Sequence, residues 1–256
     1  MNVLLISPHP DDELIGAGAA ATALADRGHQ VHNYAPSLGS SKHKERQREL
    51  LDVCTRVGFQ CHISQVAAAY TRREDNHDAW HTWRQEIEEL AELTDVIIAP
   101  WPQDAHPLHE SIGQLAAAAA LHSNTTIWFW GLWSDLPLPN LINFFSGNRL
   151  ETVNAALEIH QSQLAKTDYR KLIAGRALTN AALGPSKAFG FDHSLKRPTE
   201  HAELLTEVRP AGGSLLLSAP RVLDLDDPLP ETESRQDILQ ILMSASLQSK
   251  LMFNRS

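Results

Sequence analysis

Cysteine is nearly absent from this chain. There are two among 256 residues, Cys54 and Cys61, seven positions apart and each inside an apolar segment. That scarcity excludes a disulfide framework and points to reduced thiols in a cytoplasmic protein. Long apolar runs are missing too. Met1 leads almost directly into a short strand and then into charged residues, so no signal peptide is read, and the most apolar stretch, Ile127 to Phe145, is broken by Asp135, Pro137 and Pro139. It falls short of the ~20 apolar residues that a membrane span requires. Blocks of lysine and arginine are also lacking, and the net charge is -9, so the field repels nucleic acid instead of collecting it. Neither nucleic acid nor a membrane is the expected partner, which leaves a small molecule, neutral or cationic. Homo-oligomer formation stays open.

What the chain does contain is an alternation of strand and helix signals. Val3–Ile6 reads as a strand, Glu13–Arg27 as a helix stopped by Gly28, and Gln30–Ala35 as a strand. A charged amphipathic helix over Lys42–Val57, a weaker strand over Gln60–Val66 and a helix over His77–Leu93 follow. Next come the strand Asp95–Ala99, the helix Pro107–Leu121 and the strand Thr125–Trp130. This series predicts one α/β domain, residues 1–256, with a Rossmann-like, mostly parallel sheet flanked by helices. Beyond it the rhythm changes. Leu141–Phe145 reads as a strand, and Glu151–Lys166 and Tyr169–Leu183 read as helices. Gly184 to Pro220 reads as a long irregular segment, Asp224 to Glu233 as an acidic linker, and Gln236–Leu251 as a final helix.

Two loops concentrate chemistry. His9-Pro10-Asp11-Asp12-Glu13 follows the first strand, and Asp104-Ala105-His106-Pro107-Leu108-His109-Glu110 follows the strand 95–99. Parallel strands end on one edge of a sheet, where α/β proteins bind their ligands, so residues about a hundred apart can meet there. Catalytic zinc takes three ligands from His, Asp or Glu and keeps a position for water, and two histidines with one aspartate meet that need. Zinc brings the pKa of its water to about 7 and polarises a carbonyl, and a further carboxylate can shuttle the proton. The competing reading of the first loop is a helix N-cap, which accounts for aspartate but for neither His9 nor the second cluster.

The pentad resembles the signature of the PIG-L/LmbE-like zinc-dependent N-deacetylases, and His106-Pro107-Leu108-His109 resembles that family's second metal motif. The likeness extends through Arg46 to Glu49 with Val57-Gly58, and through Gln161 to Leu164, covering about the first 185 residues; 186–256 is less recognisable. It implies His9, Asp12 and His109 as metal ligands, with Zn2+ as the ion and another divalent ion such as Fe2+ as the alternative. It implies Asp11 as general base and then acid, and His106 as an imidazolium facing the oxyanion. Glu13 is read as opening the helix, at the positive end of its dipole. The implied activity is removal of acetyl from an N-acetylglucosamine-type sugar. The alternatives are an amidase for thiol conjugates or other amides, and a non-catalytic metal- or sugar-binding homologue. Leu108 stands where the family usually has aspartate; either Asp104 supplies that carboxylate to His106, or it is a solvated loop residue.

Other candidates each have two readings. Trp101 and Trp133 follow strands on the active edge and could stack on a sugar ring. Arg46 either reaches a substrate hydroxyl or phosphate or pairs with Glu49 along its helix. His193, in the irregular segment, either reaches the site or is structural. Gly16-Ala17-Gly18 suggests a dinucleotide loop, yet Ala21 occupies the third glycine position, and close helix packing explains it better.

Overall fold

The computed structural model describes residues 1–39, 42–67, 77–191, 200–230 and 234–237. Strands β1 (Asn2–Ile6), β2 (Gln30–Ala35), β3 (Gln60–Ile63), β4 (Val96–Pro100) and β5 (Thr126–Trp130) lie side by side in the order β3-β2-β1-β4-β5, all parallel. The order reverses between β1 and β4, the place where an open α/β sheet leaves a crevice beyond its strand ends. Both chemistry-bearing loops leave the sheet at that crevice. Val3 to Ile6 and Val96 to Ala99 are fully buried, as central strands covered on both faces must be.

Between the strands run α1 (Asp12–Ile15), α2 (Gly18–Asp26), α3 (His43–Val57), α4 (His77–Ala91) and α5 (Pro107–Ser123). The single helix expected over residues 13–27 is therefore two. The break falls at Gly16-Ala17, and its cause is close packing: a Cβ at Gly16 would sit 2.6 Å from the ring of Trp130. The ring takes the space that a continuous side-chain row needs. Likewise the helix expected over 151–166 divides into α6 (Gly147–Leu157) and α7 (Gln161–Leu164), with buried His160 at the start of α7.

The largest departure lies after Leu183. Helix α8 (Tyr169–Phe189) continues through Pro185, and the supposed irregular segment contains β7 (His201–Ala211) and β8 (Ser214–Ser218). Strand β7 adds antiparallel to β5, β8 to β7, and β10 (Ser234–Asp237) to β8. Strand β6 (Leu141–Phe145) pairs with β7 on its other stretch and with the short β9 (Arg221–Val222). Glu203 and Glu207 interrupt the apolar pattern of β7 and disguise it, yet both carboxylates point inward and are saturated. Glu203 accepts from the amides of Ala19 and Ala20 at 2.7 Å, and Glu207 from Trp128 Nε1 at 2.9 Å and from Arg221. Residues 236 and 237 belong to strand, not to the expected helix, whose remainder lies outside the described residues. No helix among the described residues is long and apolar enough to cross a membrane.

Candidate metal centre

The ends of β1 and β4 bring three ligand types together. His9 Nδ1 and His109 Nε2 each lie 3.2 Å from Asp12 Oδ2, and the three residues offer ligand atoms all within 4.8 Å of one another. Two imidazole nitrogens and one carboxylate oxygen are a donor set for a divalent transition ion of the zinc type, so the residues fit the metal. Burial holds the His9 ring below its ordinary pKa, against the pull of Asp12. Burial alone would raise the Asp12 carboxyl, but the two histidines hold it well below the usual carboxylate range.

Asp104 supports this set from behind. Its Oδ2 lies 2.8 Å from His109 Nδ1, and its Oδ1 accepts from the backbone amides of Leu132 at 2.6 Å and Trp133 at 3.1 Å. The contact fixes the ring so that Nε2 faces Asp12, the usual second-layer partner of a metal-binding histidine. Burial would lower the His109 pKa, yet Asp12 and Asp104 on either side raise it to about 9. Fully buried and fully engaged, Asp104 is neither solvated nor free for substrate. Nor does it serve His106.

Asp11 stands beside the donor set on a strained backbone, with φ 113°. Its amide donates to Glu13 Oε2 at 2.9 Å, and Glu13 Oε1 accepts from His160 Nε2. Glu13 is thus wholly buried and clamps the turn; it does more than favour a helix dipole. A non-glycine residue in the left-handed region costs on the order of 1–3 kcal/mol and persists where its surroundings enforce it. The Asp11 side chain accepts no hydrogen bond from the described residues and faces the cavity. Burial, reinforced by the charges of Asp12 and Glu13, pushes its carboxyl well above the usual range, against the pull of Arg46.

The cavity has a volume of about 160 Å³, and its walls include Asp11, Arg46, His106, Trp133, Gln163 and Tyr169. His106 precedes α5, its ring 5.1 Å from that of His9 and 6.1 Å from that of Trp133, with which it stacks. Burial and the neighbouring rings of His109 and His9 lower its pKa to about 4. Asp12 and Asp104 pull the other way without outweighing burial, so the environment disfavours the imidazolium the resemblance implies. Its Nδ1 is buried without a partner among the described residues, which leaves Nε2 for the cavity. Leu108, where an aspartate was expected, packs in the core beside Ile112 and Trp101.

Arg46 does not pair with Glu49. The oxygens of Glu49 accept from the amide and hydroxyl of Ser162 at 2.9 and 2.6 Å, while Arg46 donates to Pro10 O at 3.4 Å. With its amide turned so that the oxygen faces Arg46, Gln163 accepts from Nε at 2.7 Å and Nη2 at 3.1 Å. A Cβ at Gly39 would collide with that guanidinium, so glycine there makes room for it. Trp133 is 53% exposed at the mouth, whereas Trp101 is buried edge-on to Phe129 and cannot touch a substrate. His193 lies outside the described residues. Sequence reasoning missed Tyr169, whose hydroxyl is raised in pKa by burial and by Asp11 and Asp12. No local signal marks it; α8 alone brings it in.

Comparison with known proteins gives one family match. Residues 4–120 match the model of the PIG-L family, described as GlcNAc-PI de-N-acetylase. No curated protein sequence matches. Among solved structures, a conserved protein of Thermus thermophilus is 19% identical with a TM-score of 0.60, over 79% of this chain and 92% of that one. The N,N'-diacetylchitobiose deacetylase of Pyrococcus horikoshii is 20% identical with a TM-score of 0.56, over 80% and 83%. The 4-carboxy-2-hydroxymuconate hydratase of Pseudomonas putida is 16% identical with a TM-score of 0.57, over 82% and 97%. At these identities the structures share a fold with this chain.

Proposed function

We propose that this chain, whose residues 4–120 match the PIG-L family model, is a metal-dependent hydrolase that removes an acetyl group from the amide nitrogen of an N-acetylglucosamine-type sugar or glycoconjugate. One observation carries the reading. A His-Asp-His donor set shares a cavity with a carboxyl group that has a raised pKa and accepts no hydrogen bond among the described residues. The fold by itself would not suffice, since a hydratase shares it.

A divalent ion held by His9, Asp12 and His109, with Zn2+ proposed and Fe2+ the alternative, supplies Lewis acidity to the amide carbonyl and to water. Asp11 accepts the proton of the water that adds to the carbonyl carbon. It returns that proton to the nitrogen as the C–N bond breaks, so acetate and a primary amine leave. A carboxyl pKa raised toward neutrality serves both transfers. His106, as a neutral ring, donates its Nε2–H to the developing oxyanion, a contribution of about 10²- to 10³-fold in rate. Arg46 and Tyr169 line the cavity as donors for sugar hydroxyls, and Trp133 offers an aromatic face to the ring. The free thiols of Cys54 and Cys61 support placement in the reducing cytoplasm.

A primary-amine assay over N-acetylglucosamine, its glycosides and thiol-conjugate amides, with added zinc, tests the reading. Amine released from the acetylated sugars is the expected result. Release from thiol conjugates alone transfers the site to the amidase reading, and sugar binding without release to the non-catalytic one.

A further inference from the structure

Seven positions apart in sequence, the chain's two cysteines are neighbours in space. Helix α3 ends at Gly58, whose φ of 77° suits glycine, and the amides of Gly58 and Phe59 both donate to Cys54 O, the latter at 2.8 Å. The chain reverses at once, and β3 runs back along the helix it has just left. Cys54 from α3 and Cys61 from β3 therefore enter one apolar cluster, where their thiols hydrogen-bond to each other.

The two sulfurs are not equivalent. Cys54 is 1% exposed, whereas Cys61 is half-buried on a strand at the edge of the sheet. The shared hydrogen bond, reinforced by burial, pushes the Cys54 thiol up; the same bond pulls Cys61 down, so Cys54 is the donor and Cys61 the acceptor. Asn33 fixes the inner sulfur. It is fully buried, sits opposite Cys61 in the β2–β3 register, and donates from Nδ2 to Cys54 Sγ at 3.7 Å, while its Oδ1 accepts from Ser7 Oγ at 2.6 Å. A buried cysteine acting as a small apolar side chain would account for Cys54. It would not account for a second sulfur that is bonded to the first and within reach of solvent. An accessible thiol that gives up its proton more easily, beside one that keeps it, is the arrangement of an attacking and a resolving cysteine.

We propose that Cys54 and Cys61 are a redox modification site, a dithiol that a small hydroperoxide converts to an intramolecular disulfide. The Cys61 thiolate attacks one peroxide oxygen, the O–O bond breaks, and the departing oxygen takes up a proton as water or alcohol. Cys61 is then a sulfenic acid. Cys54 sulfur attacks Cys61 sulfur, its thiol proton passes to the leaving hydroxyl, and a second molecule, water, departs. The two sulfurs lose two electrons in all, and the peroxide gains them. The product ties the end of α3, the helix that carries Arg46 and Glu49, to β3. No group of the metal centre takes part, so the site stands independently of the deacetylase reading.

The test oxidises the folded protein with hydrogen peroxide, blocks remaining thiols by alkylation, and maps peptides by mass spectrometry. Trypsin cuts after Arg56, between the cysteines, so a disulfide joins two peptides that separate on reduction. The expected result is that linked pair within single chains, with both thiols restored by reductant. In Cys54→Ser, Cys61 should accumulate as a sulfenic acid trapped by dimedone; in Cys61→Ser, Cys54 should react at least about tenfold more slowly than Cys61 does. Circular dichroism melts check that each variant is folded, and the wild-type map decides alone if one is not. Linked peptides that form only after denaturation, or oxidation of Cys61 to sulfinic acid with no linked pair, overturn the inference. So does a folded protein whose two thiols both survive peroxide.

Discussion

Buried carboxylates occur in both halves of this sheet, and they are used in opposite ways. In the antiparallel half, Glu203 and Glu207 on β7 are saturated by helix amides, an indole and arginine. In the parallel half, Asp11 is left without a donor among the described residues, and Asp12 shares one oxygen between two imidazoles. The same functional group closes the structure in one place and leaves chemistry open in the other. Completeness of hydrogen bonding, more than burial, separates the two. An unfinished buried acid is expensive, and its persistence asks for a ligand or a proton.

The contrast breaks most sharply at the metal. His109→Ala should abolish turnover and reduce bound zinc, read by elemental analysis of purified protein, to near zero; a variant that keeps stoichiometric zinc would remove His109 from the ligand set. Asp11→Asn should retain the metal while kcat falls by about 10²- to 10⁴-fold, the usual worth of a proton-transfer group. Turnover close to that of the parent would take the base role away from Asp11. Asp104→Asn should weaken metal affinity by about 10- to 100-fold, as loss of a partner behind a ligating histidine does, measured by competition with a chromophoric chelator. Glu207→Gln should act on stability alone, lowering unfolding free energy by about 1–3 kcal/mol in a denaturant titration. If it reduced kcat as strongly as Asp104→Asn, the division between closing and open carboxylates would fail. Trp133→Ala, the mildest, should raise KM by a few-fold with an unchanged melting temperature, since the half-exposed ring contributes little packing.

Legibility followed distance along the chain. The parallel strands, the helices between them and both loops could be read because each is written within a short window: an apolar run, a polar cluster, then a helix pattern. Strand β7 could not be, because its glutamates look solvated until their donors arrive from Ala19, Ala20 and Trp128, far away in sequence. The same holds within the site. His9, Asp11, Asp12, His106 and His109 stood out as residue types, whereas Asp104's attachment to His109, and not to His106, follows from how the loop after β4 folds under the loop after β5. Tyr169 was invisible because nothing near it marks a site.

Local pattern was thus enough to set the reactive groups at the ends of β1 and β4 and to bring those ends to one edge, because strand direction and crossover are short-range properties. Folding of the whole chain assigned the partners: Glu13 to His160, 147 positions away, and Glu49 to Ser162. Those choices set which carboxyl pKa values fall, which rise and which ring is held below its ordinary pKa. They depend on desolvation and on charges gathered from distant segments, and no window of sequence contains them.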